Sequence, residues 1–212
     1  MIPTVTNPLG FNPAWKRLLD AHTRFLIWGD LTDRTGNVTL TNRGLVSNGQ
    51  WITSPDTSSY AFIPANSLPA DVLVSDHSWS VEINFFIPEN WSSGLTKRIP
   101  IFGASRTNGF YMIVGYPDLR NYIGVGWVAN GIGPLTVPGI NLFTVNYDTE
   151  NVTFKLNGVN VTPTMPEPRG TTLDARGYDV GIMTALGYGF THEEPTAYMM
   201  KINYIRISNV TR

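Results

Sequence analysis

Turn-forming residues divide most of this chain into short segments, and their spacing limits the folds that are possible. From residue 24 onward, turn signals made of Gly, Pro, Asn and Asp recur about every 8–12 residues, with apolar or alternating runs between them. Long helices would need uninterrupted stretches rich in Glu, Lys, Ala and Leu, which are scarce here. The pattern therefore predicts about a dozen short strands in an antiparallel β-sandwich or barrel.

Two segments give the clearest local signals. Residues 79–87 alternate between an apolar face and a second face, which carries Ser80, Glu82, Asn84 and Phe86. Asn157-Gly158, set between two short strands, has the sequence of a type I′ hairpin turn. Phe110–Tyr116 and Tyr122–Ala129 are apolar on both faces, which predicts two central strands covered on both sides.

Residues 1–22 differ from the rest of the chain. Breakers interrupt the first eleven residues and predict an extended arm; they are Pro3, Pro8 and Gly10. Asn12-Pro13 has the pattern of a helix start, and a short amphipathic helix is expected over 14–21. We therefore divide the chain into an arm with a short helix (1–22) and a β domain (23–212).

The arm carries apolar residues that are unusual in a solvated tail. It could add to the sheet edge of a neighbouring protein or lie in its groove, or it could be a frayed terminus. The residues expected to anchor a partner are Ile2, Val5, Leu9, Phe11 and Trp15.

Charge and composition exclude several classes of function. The net charge is −1, and the densest basic spot is Lys97-Arg98, which is too small to be a nucleic-acid footprint. Cys is absent, so disulfides, thiolate zinc sites and Cys nucleophiles are excluded. No run reaches the ~18 apolar residues of a membrane span, and the first residues do not resemble a secretory signal.

No cofactor and no metal ion are expected. His192-Glu193-Glu194 could hold a divalent cation only if Asp179 or Asp118 folded nearby, and an exposed polar loop is the simpler interpretation.

Read in order, several segments resemble those of the concanavalin A-like lectin/glucanase family in its laminin-G-like branch. The segments that carry the resemblance are Leu31–Asn37, Trp79–Pro88, Ile101–Gly103, Gly109–Val114, Asn141–Asp148, Val152–Gly158, Ala185–Gly187 and Met200–Asn209. The resemblance implies an all-β fold, a two-sheet antiparallel jelly-roll sandwich with one concave sheet. The arm and helix at 1–22 lie outside the family pattern.

Domains of this kind are frequent in phage tail and capsid proteins. Low charge, abundant Asn, Thr and Gly, and the absence of Cys also suit a virion protein assembled in a host cytoplasm. The resemblance and the composition therefore imply a virion structural protein that is part of an oligomeric assembly. The apolar residues of the arm predict that other virion proteins bind there.

Glycan cleavage is not expected, because retaining glucanases of this family carry their acids as E-x-D-x-x-E on one strand. That mechanism needs two carboxylates about 5–5.5 Å apart, one as nucleophile and one as acid. Glu82 is the only acidic residue on its predicted strand, and Asp148 and Glu150 belong to a predicted turn.

Aromatic residues are the remaining candidates for a binding site. Sugars stack their C–H faces on Trp and Tyr rings, and polar side chains bind their hydroxyls. Residues of both kinds lie on the predicted central strands and nearby loops, although each could also belong to the core. The candidate ligand-binding residues are Trp91, Tyr116, Arg120, Tyr122, Trp127, Asn130 and Tyr188.

Three functions follow from these observations. The first is a non-enzymatic β-sandwich module that is displayed on a virion and adheres to surface glycans. The second is a purely structural decoration or connector protein, whose affinity comes from a buried interface. The third is a glycan-cleaving enzyme with an unrecognised site.

Overall fold

Two antiparallel sheets make up the described part of the protein. The computed structural model describes residues 14–56, 58–88, 99–104, 110–114, 120–125, 128–134, 138–162, 173–183 and 200–212. The strands in these residues are β1 (Thr23–Trp28), β2 (Thr41–Arg43), β3 (Val46–Ser47), β4 (Ile52–Thr53), β5 (Tyr60–Ile63), β6 (Trp79–Ile87), β7 (Ile99–Gly103), β8 (Phe110–Val114), β9 (Arg120–Val125), β10 (Val128–Pro134), β11 (Gly139–Tyr147), β12 (Val152–Leu156), β13 (Val159–Asn160), β14 (Val180–Ile182) and β15 (Lys201–Ser208).

The first sheet has eight strands in the order β13-β12-β11-β6-β15-β4-β3, and β1 also pairs with β15. The second has seven strands in the order β10-β9-β8-β7-β14-β5-β2. One hydrophobic cluster contains residues of both sheets, among them Phe143 and Ile205 from the first and Ile63 and Phe102 from the second. This shared core is the arrangement of a β-sandwich, so the predicted all-β, two-sheet class is confirmed. Jelly-roll connectivity stays a prediction.

One buried aromatic pair in the core of the sandwich keeps the hydrogen bonds of its polar groups. Trp79 and Tyr147 are directly opposite on β6 and β11, and their rings stack with centroids 5.3 Å apart. The Trp79 indole N–H donates to the Val74 carbonyl at 2.9 Å, and the Tyr147 hydroxyl donates to the Ser75 carbonyl at 3.0 Å. Full burial of these rings is therefore possible without loss of their hydrogen bonds.

Two sequence predictions are confirmed by these elements. Strand β6 spans Trp79–Ile87, as its alternation indicates. Strands β12 and β13 are joined through Asn157 and Gly158, whose φ angles of 50° and 82° are those of a type I′ turn.

The prediction of Tyr122–Ala129 as one central strand is wrong. The segment contains the end of β9 and the start of β10, which pair with each other as a hairpin. In the described sheet β10 is the last strand, so β9 lies next to the edge rather than at the centre. Apolar residues in two successive strands produce the same continuous run as a single buried strand, so periodicity does not distinguish the two.

The predicted helix over 14–21 is also corrected, to a four-residue 3-10 helix, Ala14–Arg17. The Leu18 N–H donates to the Trp15 carbonyl at 3.0 Å. The Leu18 carbonyl itself accepts from Thr23 Oγ1 at 2.9 Å and from Arg206 Nη1 at 3.0 Å. These tertiary hydrogen bonds replace those of a longer helix. No helix among the described residues is long and apolar enough to cross a membrane.

Candidate functional site

Strand β15 is paired with two different strands along one edge, and a bulge separates them. Lys201 and Ile202 pair with β4, and from Tyr204 onward the strand pairs with β1. Asn203 occupies the bulge and is buried. Its Nδ2 donates to the Gln50 carbonyl at 2.6 Å, and its carbonyl accepts from the Gly29 N–H at 2.7 Å. Asn203 therefore holds the end of β1 beside the turn between β3 and β4.

Four aromatic side chains lie around this bulge, where the pairing of β15 changes from β4 to β1. On β6, Phe86 alternates with the buried core residues Phe85 and Ile87, so it lies on the outer face of the eight-stranded sheet. Three of the four are half-buried, and the fourth, Tyr204, is 8% exposed. We call this set the aromatic platform; its members are Trp28, Trp51, Phe86 and Tyr204.

The platform consists of two ring pairs. Trp28 and Tyr204 are cross-strand neighbours whose rings stack with centroids 5.3 Å apart and planes 6° apart. Trp51 meets Phe86 edge to face, with centroids 6.0 Å apart and an interplanar angle of 61°. Trp28 and Phe86 are two strands apart, and Phe86 is displaced by two residues along the strand direction. Strand spacing and strand rise therefore place them roughly 10–12 Å apart across the sheet. An extended ligand could contact both pairs.

Polar groups flank the rings. Asn84 lies opposite Tyr204 on one side and opposite Leu142 on the other. Lys201, opposite Phe86, places its Nζ 5.7 Å from the centroid of that ring. Burial, followed by the nearby Glu82 carboxylate, raises the pKa of Tyr204 to about 12. The Tyr204 hydroxyl therefore stays protonated, and remains a hydrogen-bond donor, at any physiological pH.

The other half of the outer face is ionic and covered. Glu82 and Arg206 are opposite each other, both are buried, and they form a salt bridge. The guanidinium of Arg212 lies over this pair, with Nε 3.9 Å from Glu82 Oε2 and Nη2 2.6 Å from Asp20 Oδ2. The Asn146 side chain accepts from the Arg212 N–H at 2.6 Å and donates to its carbonyl at 2.8 Å. Residues 18–20 and 209–212 are thus attached to this half, and the platform half is more open.

Several described carboxylates are engaged by arginines. In addition to Glu82 and Asp20, three aspartates form ion pairs of 2.5–2.9 Å with Arg34, Arg24 and Arg176 respectively: Asp30, Asp71 and Asp174. The Arg176 hydrogen bond lowers the pKa of Asp174. Burial acts to raise the pKa of Asp71, but the hydrogen bonds from Arg24 and Asn209 and the charge of Arg24 together lower it. The lowered pKa values of Asp71 and Asp174 keep these two carboxyls ionised, which does not suit a general acid. Within the described ranges, no cluster of three His, Asp or Glu side chains could hold a metal ion.

The residues proposed from sequence as ligand contacts are elsewhere. Arg120 and Tyr122 lie on β9, and Asn130 lies on β10, where it pairs with Ile123. All three are in the seven-stranded sheet, toward the β10 edge, and their binding roles stay predictions. The other four candidates, Trp91, Tyr116, Trp127 and Tyr188, lie outside the described residues.

Among the proposed partner anchors, Trp15 lies within the described residues. It is half-buried in the 3-10 helix, with the Arg34 guanidinium 5.4 Å and the Lys16 ammonium 5.9 Å from its ring centroid. Its role in partner binding stays a prediction. Ile2, Val5, Leu9 and Phe11 lie outside the described residues.

Sequence reasoning did not identify the platform, although one signal for it was present. Phe86 is the single apolar member of the second face of β6, after Ser80, Glu82 and Asn84. A contiguous exposed apolar patch marks a binding surface, whereas a single surface apolar residue such as Phe86 is common and does not identify one by itself. The other three rings reach Phe86 only through long-range strand pairing.

Comparison with known proteins gives a shared fold and no family. No protein-family model matches the chain, and no curated protein matches its sequence. Among solved structures, the binding domain of botulinum neurotoxin serotype D/C matches with a TM-score of 0.65 and 11% identity, over 90% of this chain and 49% of that one. The present chain therefore spans about half of the toxin domain.

Two further structures with the same fold were solved with sugars or a sugar analogue. Domain 4 of AbnA, an extracellular arabinanase from Geobacillus stearothermophilus, in complex with arabinotriose, has a TM-score of 0.58 and 14% identity, and the match covers 90% of this chain and 93% of that domain. Trypanosoma rangeli sialidase, in complex with 2,3-difluorosialic acid, has a TM-score of 0.66 and 11% identity, over 92% of this chain and 31% of the enzyme. At these identities the likeness establishes a common β-sandwich fold.

Proposed function

We propose that this chain is a carbohydrate-binding β-sandwich module and that the aromatic platform holds the glycan. The observation that carries the proposal is the clustering of four rings on one sheet face beside Asn84 and Lys201. A sugar offers apolar C–H faces to such rings and hydroxyls to the amide and ammonium groups. Sharing a fold with an arabinanase domain that binds arabinotriose supports the same class of ligand.

The proposed role is binding without catalysis. The one carboxylate on the outward side of β6, Glu82, is buried in its salt bridge with Arg206 and lies four residues from Phe86. A nucleophile or acid for glycoside hydrolysis would have to be free to reach the sugar. Display on a virion and anchoring through the N-terminal arm complete the proposal. Display rests on composition and on the family resemblance, and anchoring rests on the apolar residues of the arm.

An array of immobilised oligosaccharides, probed with the full chain, tests glycan binding. We expect specific binding to at least one glycan class, and loss of that signal in a variant with Trp28→Ala and Trp51→Ala. A folded chain that binds no glycan on the array would overturn the proposal.

A structural role is the second candidate, favoured by Ile140. This residue lies opposite Phe86 on β11 and is 61% exposed, so it extends the platform with purely apolar surface. In that case the platform is a contact between subunits. Light scattering distinguishes the two: an Ile140→Glu variant would dissociate a structural oligomer, whereas it leaves the mass of a glycan-binding module unchanged.

A further inference from the structure

Lys201 lies on the platform without a described carboxylate to pair with. Its cross-strand neighbours are Phe86 on β6 and Thr53 on β4, and its ammonium lies 5.7 Å from the Phe86 ring centroid. Its side chain is partly exposed, so a bound ligand can reach the ammonium. The ring face attracts the cation but does not neutralise it.

The side chains surrounding Lys201 on the outer face are neutral. The nearest outward residues are Asn84 on the adjacent strand β6, Tyr204 on β15 itself, and Ile140 and Leu142 on β11, one strand beyond β6. Glu82 is about 13 Å from Phe86 along β6, at four residues' rise, and its charge is already matched by Arg206. The platform therefore carries one uncompensated positive charge among the described residues.

The ionic half of the same sheet face is a useful contrast. There Arg206 pairs with Glu82, and Arg212 pairs with Asp20. Lys155, the described lysine of that half, donates to the Arg212 carbonyl at 2.9 Å and so already has a backbone partner. Lys201 differs from these cations because no described polar group accepts a hydrogen bond from its ammonium.

We propose that the glycan bound at the platform carries an anionic group, and that Lys201 is its partner. The inference rests on the proposed glycan-binding function and deepens it: the ligand class is an acidic oligosaccharide, with a carboxylate or a sulfate ester placed over the Phe86 side of the platform. The sugar rings stack on Trp51 and Trp28, and Asn84 provides a neutral hydrogen bond. A charge-assisted hydrogen bond at a partly exposed site strengthens binding about tenfold.

The test uses the full chain and oligosaccharides in matched triplets, each backbone in neutral, uronic-acid and sulfated form. We expect the charged forms to bind about tenfold tighter than the neutral form, with the difference decreasing as salt is raised. The carboxylate and sulfate arms identify which anion is preferred. Neutral forms bound as tightly as charged forms would overturn the anionic inference and leave glycan binding standing. Absence of any binding by the folded chain would instead overturn the proposed function.

Lys201→Met assigns the effect to this side chain. Methionine keeps an unbranched apolar stem against Phe86 and removes the charge, so the variant should bind charged and neutral forms equally. Lys201→Arg should retain the preference, and Lys155→Met, on the ionic half of the same face, should behave as wild type. A preference for charged glycans that survives in Lys201→Met would show that another cation is responsible.

Discussion

The indole of Trp28 and the phenol ring of Tyr204 stack on the outer face of the eight-stranded sheet, with centroids 5.3 Å apart and planes 6° apart. The two residues are directly opposite in the β1–β15 pairing, next to the bulge at Asn203. Each ring therefore restricts the rotamers of the other, and the pair presents a preorganised surface whose ordering cost has been met during folding.

Removal of a platform ring should weaken glycan binding more than removal of a tryptophan elsewhere. We expect Trp28→Ala and Trp51→Ala each to weaken affinity about tenfold, since buried aromatic contacts dominate such sites. The control is Trp15→Ala, because Trp15 is a half-buried tryptophan in the 3-10 helix. Calorimetric titration with the tightest array glycan measures the effect. Equal losses in all three variants would indicate a general effect on folding.

Gly29 should be intolerant of a side chain because it lies against the turn that carries Trp51. Its φ is +65°, and a Cβ atom there would lie 2.2 Å from the Gly49 carbonyl oxygen. Gly29→Ala should cost about 2 kcal/mol or more in unfolding free energy and weaken glycan binding. Gly49→Ala is the matched control: its φ of +82° is similar, but nothing lies within 4 Å of the added atom. Denaturant unfolding that ranks the two variants equally would exclude the close contact as the cause.

The Glu82–Arg206 pair should be strongly sensitive to loss of one partner. Both residues are at most 8% exposed, so Glu82→Gln leaves a buried guanidinium whose charge is poorly compensated. We expect a loss of about 3 kcal/mol in denaturant unfolding. The double variant with Glu82→Met and Arg206→Met should recover much of it, because two apolar side chains need no compensating charge. A double variant less stable than Glu82→Gln would contradict this account.

Acid should release the contact between Asp20 and Arg212. Burial acts to raise the pKa of Asp20, but hydrogen bonds from Arg212 and the His22 N–H outweigh it and lower the pKa from 3.8 to about 2. A carboxyl with a depressed folded pKa stabilises the protein above its unfolded pKa, and this contribution is lost as the pH falls through about 2.

Wild type should therefore be more stable than Asp20→Asn above about pH 4, and the difference should vanish toward pH 2. Its size should be below about 1 kcal/mol, because the Asp20 side chain is 41% exposed and solvent screens the pair. Unfolding measured across this pH range checks the sign. A difference that grows on acidification would show that Asp20 is not held ionised by Arg212.

Local patterns predicted the fold better than the site. The alternation of residues 79–87 and the Asn157-Gly158 turn are properties of neighbouring residues, and both were confirmed. The prediction of one strand over 122–129 was wrong because the apolar pattern of a hairpin and that of a buried strand are the same at that length. The predicted helix after Pro13 failed because Arg206 and Thr23 bind the Leu18 carbonyl, and Arg206 is 188 residues away in sequence.

The platform depends on contacts of the same long range. Glu82 and Arg206 are 124 residues apart, and Asn203 reaches Gln50 across 153 residues. One local sign of the bulge in β15 was present. The buried residues Ile202, Ile205 and Ile207 follow strict alternation except for one interruption, which is at the bulge. No local pattern, however, places Trp51 beside Phe86.

The indole N–H resonances of the six tryptophans provide the most direct test of where the glycan binds. In a heteronuclear NMR titration with the tightest array glycan, we expect the Trp28 and Trp51 indole signals to shift with a common saturation curve, while those of Trp15 and Trp79 stay in place. Shifts confined to Trp91 and Trp127, the tryptophans that the sequence pattern favoured, would contradict the platform as the binding site.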